Sequence, residues 1–145
     1  MAPHHFRSEG NAPMAAFGWP VRVYWEDTDA GGIVYYANYL KFFERARTEW
    51  LRALALGQQA LREQCGGMFV VAHAHLDYLR PARLDDELLV TARLQEQGRS
   101  ALTVAQQVWR AGELLCDGAV RIGWVDAASL KPARIAPFII EKLNP

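Results

Sequence analysis

Several familiar catalytic kits are missing from this 145-residue chain. It has three serines, Ser8, Ser100 and Ser129, and none stands in a G-x-S-x-G elbow, which removes the serine nucleophile of that architecture. Neither a G-x-x-x-x-G-K-S/T phosphate loop nor a G-x-G-x-x-G dinucleotide fingerprint occurs, and no cofactor is expected. The two cysteines, Cys65 and Cys116, lie far apart without metal-ligand spacing. They are expected as small core residues in a reducing compartment. Sixteen Lys and Arg balance sixteen Asp and Glu, so no charge excess points to nucleic acid or an anionic membrane. No stretch approaches the ~20 apolar residues of a membrane span, and the first sixteen residues lack the apolar run of a secretory signal. The expectation is a cytoplasmic protein with a mobile tail over residues 1–16 and one domain over 17–145. Its 51% apolar content suffices for a single core.

Periodicity predicts an α+β plan. Trp19 to Trp25 reads as a strand, with Val21, Val23 and Trp25 alternating against Arg22 and Tyr24. An Asp- and Gly-rich loop follows. From Asn38 to Leu56 the period becomes helical: Tyr39, Phe43, Ala46, Trp50 and Leu54 recur at steps of three and four, and Leu40 and Leu51 widen the stripe. Gly57 is placed to cap that helix. Lys41, Glu44, Arg45, Arg47, Glu49 and Arg52 fall on its opposite face, mixed signs that suit a solvated surface or a subunit contact. Four strands are expected next, over Met68 to Leu79, Glu87 to Gln95, Ala101 to Trp109 and Leu114 to Val125. Turns at Gly98 and Gly112 make them an antiparallel meander. In the last strand Leu114, Cys116, Val120, Ile122 and Trp124 share a face. Pro137 to Leu143 reads as one short helical turn. A curved antiparallel sheet of about five strands, covered on one face by one long helix, leaves edges and apolar surface that predict self-association.

The segment from Glu26 to Tyr39 concentrates the chemistry. Asp27 and Asp29 precede Gly31-Gly32 and then a helix start, where unpaired N–H groups and a positive dipole end can hold a developing negative charge. Two readings stay open: turn residues that cap local backbone N–H groups, or a carboxylate base or nucleophile beside that helix start. Tyr35, Tyr36, Asn38 and Tyr39 suit a partly polar pocket. His73, His75 and Asp77 share a strand face, but three ligands on one flat strand converge poorly on a tetrahedral ion, so an outer face or pocket wall is expected rather than a metal site. Arg80, Arg83 and Arg99 flank turns; they suit a solvated surface, or forks for a phosphate-bearing ligand. The Tyr and Trp side chains on strands and helix are expected in the core.

Val21 to Tyr35 (VRVYWEDTDAGGIVY), Asn38-Tyr39 and Phe43-Glu44-Arg45-Ala46-Arg47-Thr48-Glu49 resemble the hotdog-fold acyl-CoA thioesterases. Pro81-Ala82-Arg83-Leu84-Asp85-Asp86 and Lys131-Pro132 share the likeness, which runs from Trp19 to about Pro137 and is strongest to the Tol–Pal-associated branch related to 4-hydroxybenzoyl-CoA thioesterase. The resemblance implies a hotdog fold, a homo-oligomer that is often a dimer of dimers, and an acyl-CoA substrate bound between subunits. Acyl-carrier protein stays open as a partner. The family's catalytic aspartate falls on Asp29, as nucleophile or as general base for water. The backbone N–H near Tyr36 would polarise the thioester oxygen. Gly32, Tyr35 and Tyr39 would line the substrate, and Arg99 would meet the nucleotide part of CoA. Members of the branch often carry His where Tyr36 stands, whereas the hydroxybenzoyl branch can carry Tyr. Another hotdog branch uses a Glu in the long helix, which makes Glu44 and Glu49 rivals of Asp29. A hotdog hydratase would need a His beside the Asp, and none of His4, His5, His73 and His75 follows Asp29 at the helix start. A non-catalytic acyl-CoA or acyl-carrier binder, or a scaffold, is the alternative of a different class.

Overall fold

The computed structural model describes residues 4–5 and 16–144. The tail expected over residues 1–16 therefore lies mostly outside the described residues. Within it, β1 (His4–His5) pairs with Phe17 and Gly18 of β2 (Phe17–Arg22). There follow α1 (Asn38–Ala53), α2 (Gln58–Cys65), β3 (Gly67–Tyr78), β4 (Glu87–Gln97), β5 (Ala101–Arg110), β6 (Glu113–Asp126) and α3 (Pro137–Leu143). The strands form one antiparallel sheet in the order β1-β2-β4-β5-β6-β3, and α1 packs against it.

The core sits between the sheet and α1. Phe42, Phe43 and Ala46 are fully buried there with Val90, Val104 and Val108. Each buried Phe stabilises the fold by about 1.5–3 kcal/mol relative to leaving it exposed. The sheet comes close to the helix at Gly118. A Cβ there would stand 2.4 Å from the His75 carbonyl oxygen and 3.1 Å from the Phe43 ring, so any side chain would force β6 away from its neighbours.

Several sequence expectations change. The first strand stops at Arg22, because Tyr24 to Thr28 winds into a short 3-10 turn closed by Asp27 N–H to Tyr24 O at 3.0 Å. Trp25 leaves the ladder and is 81% exposed. The long helix ends at Ala53, with Ala55 at positive φ; Gly57 does not cap it but precedes α2. That second helix escaped the pattern because its eight residues bury only Leu61. Cys65, at its end, is exposed rather than core. Arg47 is not on a solvated face: it is buried and donates to Gln106 Oε1 of β5 at 3.0 Å.

The meander also shrinks to β4-β5-β6. β3 crosses to the far edge and pairs with β6 from Gly67–Asp126 to Tyr78–Cys116. A register shift at Val108/Trp109 makes Leu115, not Leu114, the buried residue at the start of β6. Cys116 is buried as expected, and burial, reinforced by the charges of Asp117 and Asp77, pushes its thiol up to about 12. Among the described residues, no helix is long and apolar enough to cross a membrane.

Candidate active site

A small hairpin carries the carboxylate. Asp27 to Asp29 runs back against Ile33 to Tyr35, with Asp29 N–H donating to Ile33 O at 2.9 Å, Tyr35 N–H to Asp27 O at 3.0 Å, and Thr28 bridging Val34. Its tip needs a left-handed residue, and Gly32 supplies it at φ +78°, donating its N–H to Asp29 O at 3.0 Å. Asp27 is buried and its carboxylate accepts from Tyr24 N–H at 2.8 Å, which makes it a local cap. Asp29 is exposed in the protomer, and its Oδ1 accepts from Gly31 N–H at 2.9 Å. Both open readings of this carboxylate keep a foothold in that geometry.

The hairpin leads directly into α1. Asn38 ties the two together: its Nδ2 donates to Asp27 O at 2.9 Å and its backbone N–H to Tyr35 O at 2.8 Å. Among the described residues no side chain caps α1. Among the described residues the Tyr36 N–H has no acceptor, so this helix start presents a free donor at its positive dipole end.

Tyrosines surround that donor. Tyr35 and Tyr36 lie 4.9 Å apart by ring centroids, Tyr36 meets Tyr78 edge-on at 6.1 Å, and Tyr39 meets Tyr78 at 5.3 Å. Tyr36 is 61% exposed, and Tyr78, a strand tyrosine expected in the core, is 48% exposed. A hydrogen bond with Tyr36, then its charge, raises the Tyr35 phenol above the ordinary range. Burial raises those of Tyr39 and Tyr78. Tyr39 is buried, and its hydroxyl accepts from Ala82 N–H at 3.0 Å while Ala82 O accepts from Val34 N–H at 2.8 Å. The 81–83 segment thus braces hairpin and helix together. Asp86 closes the turn beyond it, accepting from Arg83 N–H at 2.8 Å and Arg110 Nη1 at 2.7 Å.

Asp29, Gly32, Tyr35, Tyr36 and Tyr39 therefore come together at one end of the sheet, and Arg99 does not. β4 starts beside Arg22 and runs to Gln97 at the opposite end, so the turn holding Arg99 lies about 30 Å away by strand rise. There Arg99 O accepts from Ile135 N–H at 2.8 Å, beside a groove of about 510 Å³ lined also by Arg134, Ile140 and Glu141. The helix glutamates are engaged further along α1, Glu44 with Thr48 at 2.9 Å and Glu49 with Arg52 at 2.7 Å. His75 Nε2 stands 3.6 Å from Asp77 Oδ1 in the open, and no three metal-ligating side chains cluster among the described residues. Tyr78 and Ala82 were missed at this site, since only the crossing of β3 to the far edge brings them to the helix start.

The family model described as the thioesterase superfamily (4HBT) matches residues 31–116, from the Gly-Gly tip through α1 to Cys116. The chain belongs to that superfamily. The acyl-CoA thioesterase YbgC of Haemophilus influenzae is 46% identical over 116 residues, 80% of this chain and 85% of that protein. The acyl-CoA thioester hydrolase YbgC of Escherichia coli O6:H1 is 42% identical over 129 residues, 88% of this chain and 96% of that one. Among solved structures, a probable thioesterase from Bartonella henselae superposes with a TM-score of 0.80 at 31% identity, over 84% of this chain and all of its own. This superfamily member is a hotdog: one long helix held in a curved antiparallel sheet.

Proposed function

We propose that the protein hydrolyses acyl-CoA thioesters to the free acid and CoA. Asp29 either attacks the thioester carbonyl, expelling the CoA thiolate and leaving a mixed anhydride that water then cleaves, or takes a proton from a water that attacks the carbonyl before the thiolate leaves. The Tyr36 N–H stabilises the oxyanion that forms on the carbonyl oxygen. The observation carrying this reading is the unpaired Tyr36 N–H at an uncapped helix start, next to a hairpin that bears Asp29. The names of its thioesterase relatives support the substrate class. Tyr35, Gly32 and Tyr39 line or brace the site in this reading, and the functional unit is the domain over 17–145, in the cytoplasm.

The active form in this reading is a homo-oligomer. Among the described residues β3 pairs only with β6, which leaves its other edge open along twelve residues, with Val71 56% exposed, and such an edge is a template for another strand. Antiparallel pairing there reverses the second copy, turning its Arg99 end toward the helix start of the first. A second copy would also cover the Asp29 region that stands exposed in a single protomer. Arg99 keeps a role toward CoA only in such a shared site.

A second reading has one observation in its favour. Asp29 Oδ1 already accepts from Gly31 N–H, as a turn cap would, which fits a protein that binds acyl-CoA or an acyl-carrier protein without turnover. A panel of short, long and aromatic acyl-CoA thioesters, with acyl-carrier thioesters beside them, decides between the two. Release of the CoA thiol from at least one member is expected; saturable binding with no release from any would establish the second reading.

A further inference from the structure

Tyr78 closes the edge strand β3, yet its hydroxyl reaches across to the helix start and donates to the Tyr36 carbonyl oxygen at 3.1 Å. That bond sits on the residue whose N–H is the proposed oxyanion donor. A trans peptide is planar, with C=O and N–H pointing opposite ways, so fixing one end aims the other. The Tyr35 carbonyl is held by Asn38 N–H at 2.8 Å, which aims the Tyr36 N–H outward. The next plane, carrying the Tyr36 carbonyl, has among the described residues only a long 3.4 Å bond from Tyr39 N–H besides Tyr78. Were that plane to swing, the negative end of a carbonyl dipole would approach the place where the oxyanion forms. The Tyr78 ring is itself held edge-on between Tyr36 and Tyr39, which limits where its hydroxyl can point.

We propose that Tyr78 is a positioning residue of this site: its hydroxyl pins the Tyr36 carbonyl, keeping that dipole turned away from the reacting oxygen that the Tyr36 N–H faces. The inference rests on the reading of the helix start as the oxyanion site. Burial holds the Tyr78 phenol above its ordinary range, so it remains a donor at neutral pH.

Tyr78→Phe keeps the ring and removes the donor. With the acyl-CoA that the parent hydrolyses best, kcat should fall about tenfold, less than the loss of a direct oxyanion donor. KM, the affinity for a non-hydrolysable acyl-CoA thioether, the Tm and the size-exclusion profile should stay within twofold or a few degrees of the parent. Asp29→Asn is assayed in parallel. If Asp29→Asn loses turnover while Tyr78→Phe keeps its kcat, the positioning role is wrong and the active-site reading stands. If Tyr78→Phe loses thioether binding in proportion to turnover, Tyr78 serves ground-state binding and the proposal is overturned. If Asp29→Asn keeps turnover, the underlying reading fails, and this inference with it.

Discussion

The body of α1 and its start obey opposite rules. In the body, Phe42, Phe43 and Ala46 have no solvent contact, and the buried amide of Gln106 beside them is fully used. Gln106 donates to Phe43 O at 3.0 Å and Thr91 O at 3.2 Å, and accepts from Arg47. At the start, three residues before Tyr39 goes under, an N–H has no partner, no side chain caps the turn, and aromatic rings stand in solvent. Burial and pairing stabilise the first region; an unpaired, aimed donor is what the second offers to an external carbonyl. The same helix thus separates what holds the fold from what acts.

That contrast is most exposed to failure at Phe43. Phe43→Ala should cost about 3–5 kcal/mol, transfer and cavity terms together, read from denaturant unfolding. A loss under about 1 kcal/mol would mean that the body collapses around the gap and is not the rigid part. Gln106→Leu asks a finer question of the same region. It strands a buried Arg47 guanidinium, which burial already holds below the ordinary arginine range, and should cost about 1–3 kcal/mol. A neutral result would show that the guanidinium finds water, blurring the line between body and surface. The smallest effect concerns Cys116. Its thiol is raised in the folded chain from 9.0 to about 12, so its contribution is intact below pH 9 and is lost as pH rises toward about 12. Stability should decline over that window, with a shallower slope in Cys116→Ala. At neutral pH a thiol reagent should label exposed Cys65 and spare Cys116 until unfolding.

Sequence patterning reached the body of the helix better than its surroundings. Steps of three and four picked out Tyr39, Phe43, Ala46 and Trp50 because one stripe must be buried wherever a helix meets a sheet. Arg47 was misplaced because its partner, Gln106, arrives from β5 fifty-nine residues on, and such a contact leaves no mark in a single helix's periodicity. β3 was found as a strand, but its place at the far edge depends on pairing with β6, a contact that alternation within β3 does not encode. The hairpin from Asp27 to Tyr35 was legible as a site through its Asp, Gly and Tyr content. Its bracing by Tyr78 and Ala82 was not, since both arrive from segments more than forty residues away. Arg99 was grouped with the site by residue type and resemblance, and strand direction puts it at the other end of the protomer.

The most direct test is Asp29→Asn, with kcat for acyl-CoA hydrolysis and the Tm measured on the same preparation. A required base should lower kcat by about two to four orders of magnitude, while the exposed side chain leaves the Tm within a few degrees of the parent. Turnover within a few-fold of the parent in a folded protein would contradict the account, leaving Asp29 as the cap of its own turn.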